Sequence, residues 1–530
     1  MTWFYQSKMN YKVSFIAGAF ILVAVISLNS FTQVKVKASA LNDYDGKLLF
    51  TTHCSTCHML PDPASLTKAV WQSHVLPVMA SRMGIIYPGY DPLAGLSVEE
   101  RAVVAKNHII PDEPAMNDAD WRKLTKYVID NAPDSVTVDQ SRYDRNLPLT
   151  QFKRNDVELE PDKPSLITAL KYNSDTKTLW IGDFYNEALN WQYGKGVTKR
   201  IKTASPPVDF DFYKGDTYLT DIGKLYPTEL NSGSYIKLNS ADEGIALTEP
   251  LHRPVSSVMD DLNGDGIPEI VICNFGNKTG SLSLFKKDKN GKYAEQILLP
   301  LPGAIKCFVK DMDGDGKKDI VAMFSQGDES VYIFYQKDNL KFKAKRVLRF
   351  PPNYGTTDMV LVDYNHDGLT DIVTVHGDNA DYSSILKAYH GIRININEGN
   401  NNFAEKFFYP IYGVTKVLAE DFDQDGDIDF AASAFFPEFG KLVDESFIYL
   451  ENKDANTYRF KSYILKSNIP IKTLALEKAD IDGDGDIDII AGNFSQSPGP
   501  VPKVLDEKWK SAKYGLSVFI NQLNPGANRK

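Results

Sequence analysis

From about residue 148 onward, apolar positions fall in short runs separated by polar, glycine-bearing loops. The runs are of strand length, and several alternate apolar and polar residues, as half-buried strands do. AIKCFVK, DMVLV and KTLALEK each precede an acidic loop. EIVICNF, DIVAMF, DIVTVH, DFAASAF and DIIAGNF each follow one. Further runs come next (SLSLFKK, SVYIFYQ), then more polar ones (YAEQILL, FKAKRVL). Four strands recurring about every fifty residues form the unit of a propeller blade. The N-terminal part reads differently. Residues 65–83 and 118–131 are apolar at helical intervals, with Gly84 and Ala132-Pro133 as stops. An apolar run from Val13 to Leu28 follows Lys8 and Lys12.

The length of 530 residues calls for two or more domains, and 43% apolar with 24% charged residues is a globular composition. The formal charge of −10 argues against nucleic acid and an anionic membrane surface as partners. The basic-then-apolar N-terminus predicts export, through either a cleaved signal peptide or a membrane anchor over residues 1–40. Ala38-Ser39-Ala40 is the cleavage candidate. The expected location is periplasm or cell surface, with membrane contact only through this segment.

Cys54-Ser55-Thr56-Cys57-His58 has the spacing of a covalent haem attachment site, with His58 as proximal ligand. A zinc site would need two more Cys or His ligands nearby, and no second pair follows. One covalent haem c is therefore expected. A helix, this motif and a closing aromatic helix (DADWRKLTKYVIDN) together resemble the cytochrome c family over residues 41–135. The resemblance implies a methionine as second axial ligand. Met83, at a helix end beside a glycine, is favoured, then Met79; Met116 and a bis-histidine pairing through His74 are the alternatives.

Five loops share one acidic pattern: Asp261, Asn263, Asp265, Glu269; Asp311, Asp313, Asp315, Asp319; Asp363, Asn365, Asp367, Asp371; Asp421, Asp423, Asp425, Asp429; and Asp480, Asp482, Asp484, Asp488. Oxygens at positions 1, 3, 5 and 9, with glycine at position 6, predict a hard cage for a divalent cation such as calcium. Position 12 carries no Glu and the flanks are strand-like, which excludes EF-hands. Five such ions would offset the formal −10, and their expected role is structural. The loops resemble FG-GAP/VCBS calcium repeats, including those of integrin α-chain propellers. Residues 164–205 and 206–252 read as two blades without metal, which makes seven. Residues 148–158 should complete the last blade, removing two exposed sheet edges. Cys273 and Cys307 would form either a disulfide or two buried thiols.

The expected architecture is a small all-α cytochrome c domain (41–135), a linker (136–147) and an all-β seven-bladed propeller (148–524). Its expected function is one-electron transfer by an exported monohaem cytochrome, with the propeller as scaffold and binding module for a redox protein or a glycan. The alternatives are a cytochrome-linked dehydrogenase oxidising a sugar or alcohol, and an adhesion or glycan-binding protein. Long loops at 376–390, 434–446 and 493–514 would carry any binding surface. They and the strand beyond offer His376, Asp378, Asp381, Tyr382, Lys387, Tyr389, His390, Arg393, Phe435, Phe436, Lys508 and Trp509, with His376 or His390 as a candidate general base.

Overall fold

The computed structural model describes residues 38–379 and 385–523. The apolar run 13–28 lies outside them, as do Asp381 and Tyr382. Among the described residues no helix is long and apolar enough to cross a membrane.

Seven antiparallel sheets make up the molecule from residue 146 onward. Blade one holds Ile167–Asn173, Thr178–Asp183, Glu187–Gln192 and Gly196–Lys202; blade two begins at Pro207–Tyr213. Blades three to six begin at Pro254–Asp260, Ala304–Lys310, Thr356–Val362 and Val414–Glu420. Blade seven takes Thr473–Ala479, Asp488–Asn493 and Tyr514–Asn521 from the C-terminal end and Phe152–Glu158 as its outer strand. That strand pairs antiparallel with Tyr514–Asn521, from Phe152 opposite Asn521 to Glu158 opposite Tyr514. The two ends of the propeller chain thus share one sheet, and the innermost strands of blades one and seven pack together to close the ring.

The second strands Glu269–Asn274, Asp319–Phe324, Asp371–His376 and Asp429–Ala434 are buried along their whole length. They are covered on both faces, so they read as continuous apolar runs. The core lies in layers between neighbouring blades. One layer joins Val373, Ile392 and Ile394 of blade five to Val417, Phe430 and Ile448 of blade six. Each such side chain contributes roughly 1.5–3 kcal/mol on burial. Cys273 and Cys307 are free thiols buried in the layer between blades three and four, and burial pushes the Cys273 thiol up.

Residues 136–147, expected as a linker, are docked. Asn146–Pro148 adds a fifth, parallel strand to blade six. Arg142, 2% exposed, donates to Glu445 Oε2 at 2.6 Å and stacks 3.6 Å from the Tyr412 ring centroid. Arg145 reaches Glu445 Oε1 at 3.2 Å, and Tyr143 donates to Glu438. A buried ion pair tolerates little displacement, because losing one partner strands the other charge.

Residues 38–131 hold four helical stretches joined by irregular loops: Ala38–Cys54, a stretch from Lys68 to Arg82 with a π turn at Trp71–Val75, Val98–Lys106 and Asp118–Asn131. The first and last cross closely at Gly46, where a Cβ would lie 2.6 Å from the Lys123 carbonyl oxygen. Phe50, Trp71, Leu76, Trp121, Leu124 and Val128 form their common core.

Candidate functional site

Cys54 is the last residue of its helix, and the chain then turns tightly. Thr56 donates from both N–H and Oγ1 to the His53 carbonyl. The turn keeps Cys57 exposed and near the half-buried Cys54. Burial, with the neighbouring Cys57, pushes the Cys54 thiol up to about 12. A thiol held protonated disfavours a zinc thiolate. His58 Nδ1–H donates to the Met59 carbonyl at 2.9 Å, which leaves Nε2 as the lone-pair nitrogen. A backbone carbonyl orienting the far nitrogen is the usual arrangement of a metal-ligating histidine. On these grounds the residues fit a covalently attached haem.

Met83 caps the Leu76–Arg82 helix. Its carbonyl accepts from Ala115 N–H at 2.8 Å, and Gly84 (φ 69°) fits against the Pro111 and Glu113 carbonyls. This brings Met116 to the same helical core, where both methionines are half-buried. Met79 lies half-buried one turn back, and His74 is exposed. Ile86, three residues after Met83, is 94% exposed, an apolar surface beside the candidate ligand.

The helical unit sits on the face opposite the acidic loops. Glu100 Oε1 accepts from Thr228 Oγ1 at 2.6 Å and from Glu229 N–H at 3.1 Å, in blade two. Ser65 Oγ accepts from Asn353 Nδ2 at 3.1 Å, in the link from blade four to blade five, and Ile385 joins the helical core from blade five. Blades two and five lie across the axis from each other, so the helical unit bridges the ring. Glu100 was missed in the sequence reading, although Ser97-x-x-Glu100 is a capping-box signature and forms as one.

Each acidic loop folds around its own backbone. Asp261, Asp311, Asp363 and Asp421 accept the N–H of the position-6 glycine with one oxygen. Position-5 carboxylates accept the N–H two residues on. Carboxylates of Asp311, Asp313 and Asp315 lie within 4.8 Å of one another, as do those of Asp421, Asp423 and Asp425, and those of Asp480, Asp482 and Asp488. Position 9 is the buried member. Asp319, Asp371, Asp429 and Asp488 each clamp the position-2 N–H with one oxygen and a third-strand N–H with the other. Glu269 makes the first of these bonds, to Leu262 N–H. A carboxylate oxygen can accept an N–H and still ligate a cation. Burial pushes Glu269, Asp429 and Asp488 up to about 7; burial and Asp425 push Asp423 up to about 6. Lysines offset the loop carboxylates only in part: Lys317 lies 3.1 Å from Asp315, Lys337 3.3 Å from Asp313 and Lys453 3.7 Å from Asp423. The oxygen donor set fits calcium.

The described residues of the long loops are committed to packing. His376 is fully buried, held by Thr356 and Thr374 hydroxyls at 2.9 and 3.0 Å and boxed by Phe350 and Tyr354. Burial drives it and His390 well below the usual histidine value, so neither is an accessible base. Tyr389 stacks on Tyr354, 5.0 Å between centroids, beneath the helical unit; Arg393 covers Tyr354, and Lys387 donates to Asn379 at 2.6 Å. Phe435 and Phe436 pack around Lys472. Within 493–514 a helix, Lys503–Ala512, lays Trp509 down, its Nε1–H donating to the Pro470 carbonyl at 2.8 Å, while Lys508 reaches the Asn468 carbonyl.

No curated protein matches this chain. Among solved structures, the WD40 domain of Neurospora crassa Pan2 aligns at 12% identity and TM-score 0.43, over 72% of this chain and 98% of that one. Saccharomyces cerevisiae Sqt1 aligns at 9% and 0.42, over 70% and 100%; the WD40 repeats of RRP9 align at 10% and 0.40, over 69% and 98%. A family model described as FG-GAP-like repeat matches residues 261–322 and 311–374. The chain therefore carries FG-GAP-like repeats within a seven-bladed β-propeller.

Proposed function

We propose that the chain is an exported monohaem c-type cytochrome whose propeller, pinned by about five structural calcium ions, serves as scaffold and binding module. The observation that carries this reading is the Cys54–His58 turn, with two neighbouring thiols and an imidazole oriented by the Met59 carbonyl. The bound iron porphyrin supplies a one-electron couple. Cys54 and Cys57 tether it, His58 presents Nε2, and Met83 is the assigned second ligand because its helix end is fastened by Ala115 and Gly84. The partner is a redox protein or a glycan.

A cytochrome-linked dehydrogenase acting on a sugar or alcohol is the second reading. It is supported by the bridging of the ring by the helical unit, which would set a substrate held on the axis beneath the haem domain.

Voltammetry and absorption of the purified chain test the first reading. A reversible one-electron couple is expected, without reduction by added sugars or alcohols. Met83→Ala should lower its potential, within the ~0.8 V range that axial ligands set. An unchanged spectrum in that variant moves the ligand to Met79 or Met116, and reduction by a sugar or alcohol favours the dehydrogenase.

A further inference from the structure

All seven innermost strands carry the same irregularity: the register shifts between the first and third residues. A bulge re-aims the side chains beside it. The third residues, from blade one to blade seven, are Ala169, Asp209, Ser256, Lys306, Asp358, Lys416 and Ala475, and two residues further on stand Lys171, Asp211 and Glu477. Groups of non-adjacent blades feel one another's charge: Lys416 of blade six with Lys306 of blade four and Asp209 of blade two, and Glu477 of blade seven with Lys306. Such encounters occur only across the axis. Lys171 is nevertheless exposed although it lies in an innermost strand, so water reaches the axis at that level.

The acids and bases of this channel are not in the same state. Asp209 accepts from Phe210 and Ser257 N–H at 2.9 and 3.0 Å. Asp211 accepts from Ser257 Oγ at 2.6 Å and Tyr235 OH at 2.9 Å. Glu477 accepts from Lys478 N–H at 3.0 Å and Tyr172 N–H at 3.4 Å. The wall thus satisfies these three carboxylates, whereas Asp358 accepts only from Val417 N–H at 3.4 Å and its Oδ1 is buried without a hydrogen bond. The ammonium groups of Lys171 and Lys306 make no hydrogen bond or close ion pair among the described residues, and Lys416 stands 3.8 Å from Asp358, beyond hydrogen-bond reach. Three lysines therefore face the lumen with hydrogen-bond donors unused; burial pulls the Lys416 amine down against the attraction of Asp358, while Asp209, Glu477 and Asp211 outweigh burial and hold the Lys171 amine up. An oxyanion accepting from these donors would supply the charge-assisted hydrogen bonds they lack.

We propose that the axial channel binds a small oxyanion, carboxylate or phosphate in class, held by Lys171, Lys306 and Lys416. The site stands independently of the haem reading, since none of these residues belongs to the helical unit. Two oxyanions, acetate and inorganic phosphate, serve as probes in calorimetric titrations of the full chain against chloride at equal ionic strength. Saturable binding of at least one is expected, and the arm that binds names the class. Lys306→Met and Lys171→Met should each weaken it about tenfold or more, and the outer-face variant Lys287→Met should not. In the native chain, the bound probe should also slow acetylation of Lys171 and Lys306, read peptide by peptide, and leave Lys287 unaffected. No saturable binding of either probe, binding indifferent to both channel variants, or unchanged acetylation of the two lysines would overturn the proposal.

Discussion

Glu100 joins the helical unit to the propeller through Thr228, whose hydroxyl donates to its Oε1 at 2.6 Å while Oε2 accepts the Ser97 N–H at 2.9 Å. One carboxylate thus caps its own helix and latches a second structural unit. These hydrogen bonds, that of Thr228 foremost, hold the carboxyl down at about 2. The latch is therefore complete above the usual glutamate value and is lost only as pH falls through about 2.

Glu100→Ala should loosen the junction without unfolding the blades. Removing the acceptor leaves Thr228, 2% exposed, without its partner, at a cost of about 1–3 kcal/mol. Hydrogen exchange reads this directly. The Glu229 amide, which donates to Glu100, should exchange faster in the variant, while amides of the buried strand Asp371–His376 keep their protection. Unchanged exchange at Glu229 would mean that the two units are held by other contacts.

Chelation should lower the thermal midpoint of the propeller, and calcium should restore it. Without cations the clustered carboxylates of Asp311, Asp313 and Asp315 and of Asp421, Asp423 and Asp425 repel at short range. Asp421→Asn should reduce the calcium response without abolishing it, since other loops remain. A midpoint indifferent to both chelator and calcium would assign the loops to backbone clamping alone.

Asp221 gives the propeller a component of stability that falls with rising pH. It is fully buried, and burial lifts its carboxyl to about 7. A carboxyl raised in the folded state contributes fully below its unfolded value. The contribution is then lost between about pH 4 and pH 7, at a slope of about 1.4 kcal/mol per pH unit for one proton. Asp221→Asn removes this titration. The stability of wild type relative to that variant, from denaturant titrations, should therefore fall over that window. A flat or rising difference would place a charge partner at Asp221.

The repeat was legible because its chemistry is local: acidic positions 1, 3, 5 and 9 around a glycine, followed by a strand buried on both faces, leave an imprint at fixed spacing. Ring closure by Phe152–Glu158 was legible because unpaired edges are costly. What stayed hidden depends on contacts distant in sequence. His376 resembles a base until Phe350, Tyr354, Thr356 and Thr374 are seen to enclose it. Residues 136–147 read as a linker because Arg142 meets Glu445 only through the fold. Glu100 announced a helix start, but not its hydrogen bond to Thr228. The channel lysines had no signature at all, since a bulge shared by seven strands aims them inward.

The account turns on a porphyrin bonded to Cys54 and Cys57, and intact-mass analysis of the denatured, acetone-extracted chain tests that most directly. The expected result is a mass increased by one haem, with pyridine-haemochrome absorption that stays with the polypeptide and is lost in Cys54→Ser/Cys57→Ser. An unmodified mass in wild-type protein expressed with an active export and haem-attachment machinery would contradict it.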